Sequence, residues 1–154
     1  MGKILKLAFI LAVFCIISAG SLAFIYMFTQ PKIDLNRKIA YDLSVKEVLP
    51  QPGKAVSVSP RGYSGPINMI VGVDKSGKVV GIKILNQTET PGLGADVVKP
   101  KFLNQFIGKT GKDPIEPKKD IDTITGATIS SRAVCKGVKE ALEKAKGLPA
   151  GRQD

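Results

Sequence analysis

Histidine is missing from this 154-residue chain and cysteine occurs only twice. Without an imidazole there is no Ser-His or Cys-His catalytic pair, no His-ligated metal and no haem held through histidine. Two cysteines are too few for a four-cysteine zinc or iron–sulfur site, and Cys15 and Cys135 lie far apart without a CxxC spacing, so no disulfide framework is expected either. The inventory therefore excludes those sites, no catalytic residue and no metal ligand is put forward, and any redox chemistry has to come from a bound cofactor. Concentrated basic tracts are also lacking: the net charge is +10, but the lysines are scattered and no nucleic-acid-binding signature accompanies them. The charge reads as a solvated surface, with no nucleic acid among the expected partners. Nucleotide fingerprints are incomplete as well. Gly92-Leu93-Gly94 would need a third glycine where Val97 stands, and Gly108-Lys109-Thr110 would need a leading glycine where Leu103 stands.

What the chain does have is one long uncharged apolar run over residues 7–28. Such a run is long enough to cross a hydrocarbon layer of roughly 30 Å as a helix. Lys3 and Lys6 flank one end and Tyr26 lies near the other, where an amphipathic ring suits the headgroup level. A cleaved signal peptide has a shorter apolar core and a small-residue cleavage site, whereas this run continues to Phe28. The expectation is an uncleaved single-pass anchor in a lipid bilayer. Its direction is not set by charge, because Lys32, Arg37 and Lys38 beyond the run balance Lys3, Lys6 and the α-amino group before it.

The remainder reads as α+β: one N-terminal transmembrane helix followed by a small antiparallel-sheet domain with flanking helices. The expected division is an anchor over 1–30, a linker with an amphipathic helix over 31–54, a globular domain over 55–148 and a tail over 149–154. Past Pro31, Leu35, Ile39, Leu43, Val45 and Val48 follow loosely helical spacing until Pro50, Pro52 and Gly53 end it. Strands are expected at 55–59, 67–73 and 78–85, the last two joined as a hairpin by the turn Asp74-Lys75-Ser76-Gly77. In the last of them Val80, Ile82 and Ile84 share a face. A short helix at 98–106 and a short strand at 120–123 follow. From Ile129 the three- and four-residue spacing of Ala133, Val134, Val138, Ala141, Leu142 and Ala145 predicts a helix that Gly147 and Pro149 stop.

Hydroxyls, a glycine and a helix start converge only at Asp122-Thr123-Ile124-Thr125-Gly126-Ala127-Thr128 and the following Ile129-Ser130-Ser131-Arg132. Backbone N–H groups at a helix start, together with the positive end of its dipole, suit a phosphate. Taken singly, Thr128, Ser130 or Ser131 is more simply an ordinary N-cap. A second loop, Glu89-Thr90-Pro91-Gly92-Leu93-Gly94, places two glycines within three residues, and by itself it reads as a tight turn.

Asp122-x-x-Thr125-Gly126-Ala127-Thr128 resembles the D-x-x-[S/T]-G-A-T flavinylation motif of the FMN-binding domain family, found in the G subunits of Rnf electron-transport complexes and the C subunits of sodium-pumping NADH:quinone reductases. Average residue usage would produce it by chance in a chain of this size on the order of once in ten thousand. The loop Glu89, Thr90, Pro91, Gly92, Leu93 and Gly94 is similar to a second recurring element of that family. The resemblance implies FMN joined by a phosphoester to the Thr128 hydroxyl, installed by a flavin transferase using FAD. Asp122, Thr125, Gly126, Ala127, Ser130 and Ser131 would complete the attachment site, and residues 89–94 would border the ring. It further implies a flavin domain on the extracytoplasmic side and an electron carrier working with other membrane and redox subunits of an ion-translocating oxidoreductase, rather than an autonomous enzyme. The short chain points to the Rnf type over the quinone-reductase type. A stand-alone flavoprotein reductase and an anchored binding module without flavin are the readings from other classes.

Overall fold

In the computed structural model, described for residues 2–49 and 53–147, the chain divides into two compact units, 1–40 and 41–154. The expected helix breakers Pro50, Pro52 and Pro149 and the tail at 149–154 lie outside the described residues. A single helix, α1 (Gly2–Val48), runs through Pro31 without a break, where two separate helices were expected. Proline deletes one N–H and crowds the carbonyl four residues back, but it leaves the bonds on either side intact, and strong helix formers flank it here. Within the first unit α1 contains one stretch long and apolar enough to cross a membrane, with a mean hydropathy of 2.5 and none of it buried. The hydroxyl of Ser21 in that stretch donates to the Ile17 carbonyl at 2.8 Å, so it needs no external partner.

The second unit is built on an antiparallel sheet, β1 (Gly53–Val58), β2 (Asn68–Asp74) and β3 (Val79–Asn86), in the order β1-β2-β3. Val56 lies opposite Val71, which lies opposite Ile82. The β2–β3 hairpin closes where the sequence placed it. Asp74 accepts from the Lys78 N–H at 2.8 Å and from the Ser76 hydroxyl at 2.7 Å, and Gly77 takes the left-handed φ of 80° that the turn demands. Strand alternation then sorts the side chains into two layers. Val56, Val58, Met69, Val71 and Val73 face the main core, where they meet Val134, Val138, Ala141 and Leu142 of α3 (Thr128–Gly147) together with Phe102, Phe106 and Ile121. Ile82 and Ile84 pack half-buried against the same core, while Val80, expected on their face, is also half-buried.

Ala55 and Ile70 face the other way and pack on Val45 and Val48, the last turns of α1. Residues 41–49 thus belong to the sheet unit, although the sequence assigned them to a linker. Two glycines make that approach possible: a Cβ at Gly72 or Gly81 would lie 2.6 or 2.7 Å from the Val48 carbonyl oxygen.

The helix expected at 98–106 is divided into a 3₁₀ turn Gly94–Val98, the short α2 (Pro100–Leu103) and a further 3₁₀ turn Asn104–Phe106. The strand expected at 120–123 does not form, and only an isolated bridge joins Pro117 to Ile121. Asp120 explains the difference, because its carboxylate accepts from the backbone N–H groups of Ile115 (3.1 Å) and Glu116 (2.7 Å) and pairs with Lys109 Nζ at 2.9 Å. These bonds fold residues 115–121 into a loop, with φ positive at Ile115 and Lys118, rather than along a sheet edge.

Two outcomes follow from this packing. Phe106 is fully buried and meets Phe102 edge-on at 5.5 Å, so Phe106→Ala lowers stability by about 3–5 kcal/mol, read from urea or thermal unfolding. Burial pushes the Asp120 carboxyl up, but the N–H groups of Glu116 and Ile115 and the Lys109 ammonium outweigh it and hold it below the ordinary carboxylate range. Because its folded pKa is depressed, Asp120 stabilises the fold above the unfolded value of about 3.9 and loses that contribution as pH falls through its folded value. The thermal midpoint therefore drops below about pH 4, with a shallower drop in Asp120→Asn.

Candidate functional site

The hydroxyl-rich stretch forms a turn leading directly into a helix. The Ala127 N–H donates to the Ile124 carbonyl at 3.0 Å, and Gly126, third of the four turn residues, has φ of 75° while Thr125 before it does not. That combination defines a type II turn, whose third position favours glycine. α3 begins at Thr128, and its first backbone bond runs from the Ser131 N–H to the Ala127 carbonyl at 3.0 Å. The N–H groups of Thr128, Ile129 and Ser130 precede that bond and are not used inside the helix.

The hydroxyls of the stretch have separate fates. Ser131 Oγ accepts from the Ile124 N–H at 3.2 Å and donates to the Ala127 carbonyl at 2.9 Å, so it staples the two ends of the turn. Ser130 Oγ donates to Glu89 Oε2 at 2.5 Å. Both serines are buried. Thr128, half-buried on the first residue of α3, makes no side-chain hydrogen bond among the described residues. Thr125 is likewise unpaired but lies exposed on the turn. Asp122 enters through its backbone: its N–H donates to Gln105 Oε1 at 2.7 Å and its carbonyl accepts from Gln105 Nε2 at 3.3 Å, while its side chain is exposed.

The second loop reaches the same place. Thr90 O accepts from the N–H groups of Leu93 (3.2 Å) and Ala95 (3.1 Å), and Gly92 turns the chain with φ of 76°. Thr90, Pro91 and Gly92 form an exposed rim. Leu93 reaches the Gly126 turn, since a Cβ on Gly126 would lie 2.9 Å from Leu93 Cδ2. Gly94 is buried against the helix start, where a Cβ would lie 2.6 Å from Ser130 Oγ and 2.7 Å from Glu89 Oε2. Leu93 (44% exposed) and Ile129 (51%) leave an apolar surface beside Thr128. The structure therefore brings Glu89, Leu93, Gly94, Gly126, Ala127, Thr128, Ser130 and Ser131 together and leaves Thr90, Pro91, Gly92, Thr125 and the Asp122 carboxylate on the periphery.

Sequence reasoning missed Gln105, the clamp on Asp122, and Ser64, whose N–H donates to Glu89 Oε1 at 3.0 Å. Neither residue belongs to a motif, and nothing in the sequence links either to its partner 17 or 25 positions away. No group of metal-binding side chains occurs among the described residues. Cys135 in α3 is buried, and burial pushes its thiol up to about 12, so it offers no thiolate at neutral pH. With no base hydrogen-bonded to the Thr128 hydroxyl among the described residues, the arrangement presents that oxygen without activating it.

The left-handed backbone at Gly126 makes the turn testable. Gly126→Ala adds roughly 1–2 kcal/mol of backbone strain and lowers the urea midpoint accordingly, whereas Thr125→Ala, at an exposed unpaired side chain, stays within about 0.5 kcal/mol of the parent.

Residues 62–143 match the FMN-binding domain family and residues 1–46 match the RnfG N-terminal region. Among curated relatives, the G subunit of the proton-translocating ferredoxin:NAD(+) oxidoreductase complex of Clostridium ljungdahlii is 42% identical over 103 residues, covering 63% of this chain and 55% of that protein. The G subunit of the ion-translocating oxidoreductase complex of Vibrio parahaemolyticus is 33% identical over 124 residues, covering 74% of this chain and 58% of that protein. The chain thus spans little more than half the length of these relatives. The crystal structure of the C subunit of Na(+)-translocating NADH-quinone reductase from Parabacteroides distasonis matches at 29% identity and a TM-score of 0.48, over 57% of this chain and 52% of that one. Both loops of the site fall inside the matched residues 62–143, and the chain belongs to the FMN-binding domain family.

Proposed function

We propose that this chain is a membrane-anchored electron carrier whose FMN is joined through its phosphate to Thr128 Oγ, acting as the G-type subunit of a redox-driven, Rnf-type ion-translocating complex. The observation that carries the attachment site is the allocation of hydroxyls. Ser130 and Ser131 are committed to Glu89 and to the turn, Thr125 is on the exposed side of the turn, and Thr128, at the start of a 20-residue helix, presents an oxygen unpaired among the described residues.

The residues present suit FMN. The unused N–H groups of Thr128, Ile129 and Ser130 and the positive end of the α3 dipole are matched to a phosphate. The open backbone at Gly92, where a Cβ would meet nothing within 4 Å, and the exposed Leu93 and Ile129 side chains are matched to a flat, largely apolar ring. Bound there, FMN supplies one- and two-electron chemistry that no side chain of this chain has. The protein's own part is to hold the phosphate end on a rigid helix and to leave the ring edge accessible.

Attachment requires an external enzyme, because a threonine hydroxyl without a base is a weak nucleophile. A flavin transferase using FAD balances the reaction. The Thr128 Oγ–phosphorus bond forms as the phosphoanhydride of FAD breaks, AMP departs, and the hydroxyl proton passes to a base of the transferase. The single apolar span in α1 supports anchoring in a bilayer, and the family resemblance supports an extracytoplasmic flavin domain. The names of the curated relatives support membership of a complex with other membrane and redox subunits.

Coexpression with a flavin transferase, followed by a denaturing gel viewed under ultraviolet light, tests the attachment. The parent band fluoresces and the Thr128→Val band is dark. A fluorescent Thr128→Val band overturns the site, and a dark parent band overturns covalent flavin.

A further inference from the structure

Among the described residues Glu89 is the only buried acidic side chain, at 5% exposure, and no lysine or arginine forms an ion pair with it. A carboxyl group taken out of water without a cation is costly unless hydrogen bonds satisfy it. Here each oxygen has one donor: the Ser64 N–H at 3.0 Å on Oε1 and the Ser130 O–H at 2.5 Å on Oε2. Its own N–H donates to Gln87 Oε1 at 2.5 Å, which fixes the backbone at the loop entrance. Glycines on two sides admit it, since a Cβ at Gly62 would lie 2.5 Å from Oε1 and one at Gly94 would lie 2.7 Å from Oε2.

Three segments distant in sequence therefore meet at one carboxyl group: the 62–65 turn, the 88–94 loop and the first turn of α3. Ser130 is two residues beyond Thr128 on that first turn, and Leu93, at the tip of the 88–94 loop, reaches the Gly126 turn just before it. The family resemblance would have Glu89 border the flavin ring, but its burial points to a different role. We propose that Glu89 is a positioning residue for flavin attachment: by accepting from Ser64 and Ser130 it locks the first turn of α3 against the 88–94 loop and so sets the direction in which Thr128 presents its hydroxyl to the transferase. This inference rests on the reading of Thr128 as the attachment residue.

The test uses the full-length protein in detergent with FAD and a flavin transferase. Initial rates of fluorescent labelling are measured against protein concentration, below the thermal midpoint of every variant. Glu89→Ala and Ser130→Ala each reduce kcat/KM for labelling by about tenfold or more, as expected when the hydrogen bond that joins the first turn of α3 to the 88–94 loop is lost. Glu89→Gln stays within about threefold of the parent, because its amide oxygen accepts from Ser64 and its amide nitrogen donates to Ser130 Oγ. The double variant Glu89→Ala/Ser130→Ala is no slower than the slower single variant, the signature of residues acting through one contact.

A purely structural role predicts lower thermal midpoints but parental labelling of the folded protein, and that result overturns the proposal. Glu89→Gln as slow as Glu89→Ala overturns it too. If Glu89→Ala does not fold, Ser130→Ala decides on the same criterion. A parent that takes up no flavin sinks the attachment reading itself, whereas a labelled parent with Glu89→Ala labelled at the same rate sinks only the positioning role.

Discussion

The sheet unit depends on β2, the central strand, whose residues 69–73 are buried on both faces. A three-stranded sheet cannot cover two faces alone, so each side of β2 must recruit a layer. Met69, Val71 and Val73 recruit α3 and the short helices, and Ile70 recruits the end of α1. The approach of α3 is set by Gly137, where a Cβ would lie 2.7 Å from Pro60 Cγ and 3.2 Å from Met69 Sδ. Once the helix is seated at that point its first residue is seated as well, and Thr128 inherits its location from core packing.

On that scaffold the site separates two tasks that a bare motif runs together. Ser131 and Gly126 make the turn, Ser130 and Glu89 hold the helix start to the neighbouring loop, and Gln105 clamps the backbone at Asp122. Thr128 takes part in none of these bonds among the described residues, which leaves its oxygen free for chemistry. Rigid backbone around an uncommitted hydroxyl suits a group that a separate enzyme has to find and modify. The absence of histidine fits the same arrangement, since no imidazole is there to activate the oxygen.

Much of the fold was legible because it rests on short-range patterns. The uncharged run over 7–28, the hairpin turn at 74–77 and the helical spacing from Ala133 to Ala145 each reflect a local periodicity, and each appears in the structure. The misreadings share another cause. A strand was expected at 120–123, but the Asp120 side chain diverts the backbone through bonds to Ile115 and Glu116, and Lys109 completes the pairing. A separate amphipathic helix was expected past Pro31, yet one missing N–H does not end a helix whose neighbours continue it. Side-chain-to-backbone bonds and tolerated prolines have no period for a pattern to reveal.

The sequence by itself determined the chemistry available: no imidazole, only two cysteines, one apolar span, and a hydroxyl-bearing turn at a helix start within a motif too specific for chance. Tertiary structure alone decided which hydroxyl stays free and what holds it in place. Glu89 and Ser130 are 41 positions apart, Gln105 and Asp122 are 17 apart, and only the folding of β2 against α3 brings such groups within hydrogen-bonding distance. Composition and spacing report what a residue is able to do. Whether its hydrogen-bonding capacity is already spent depends on neighbours that only the packed core supplies.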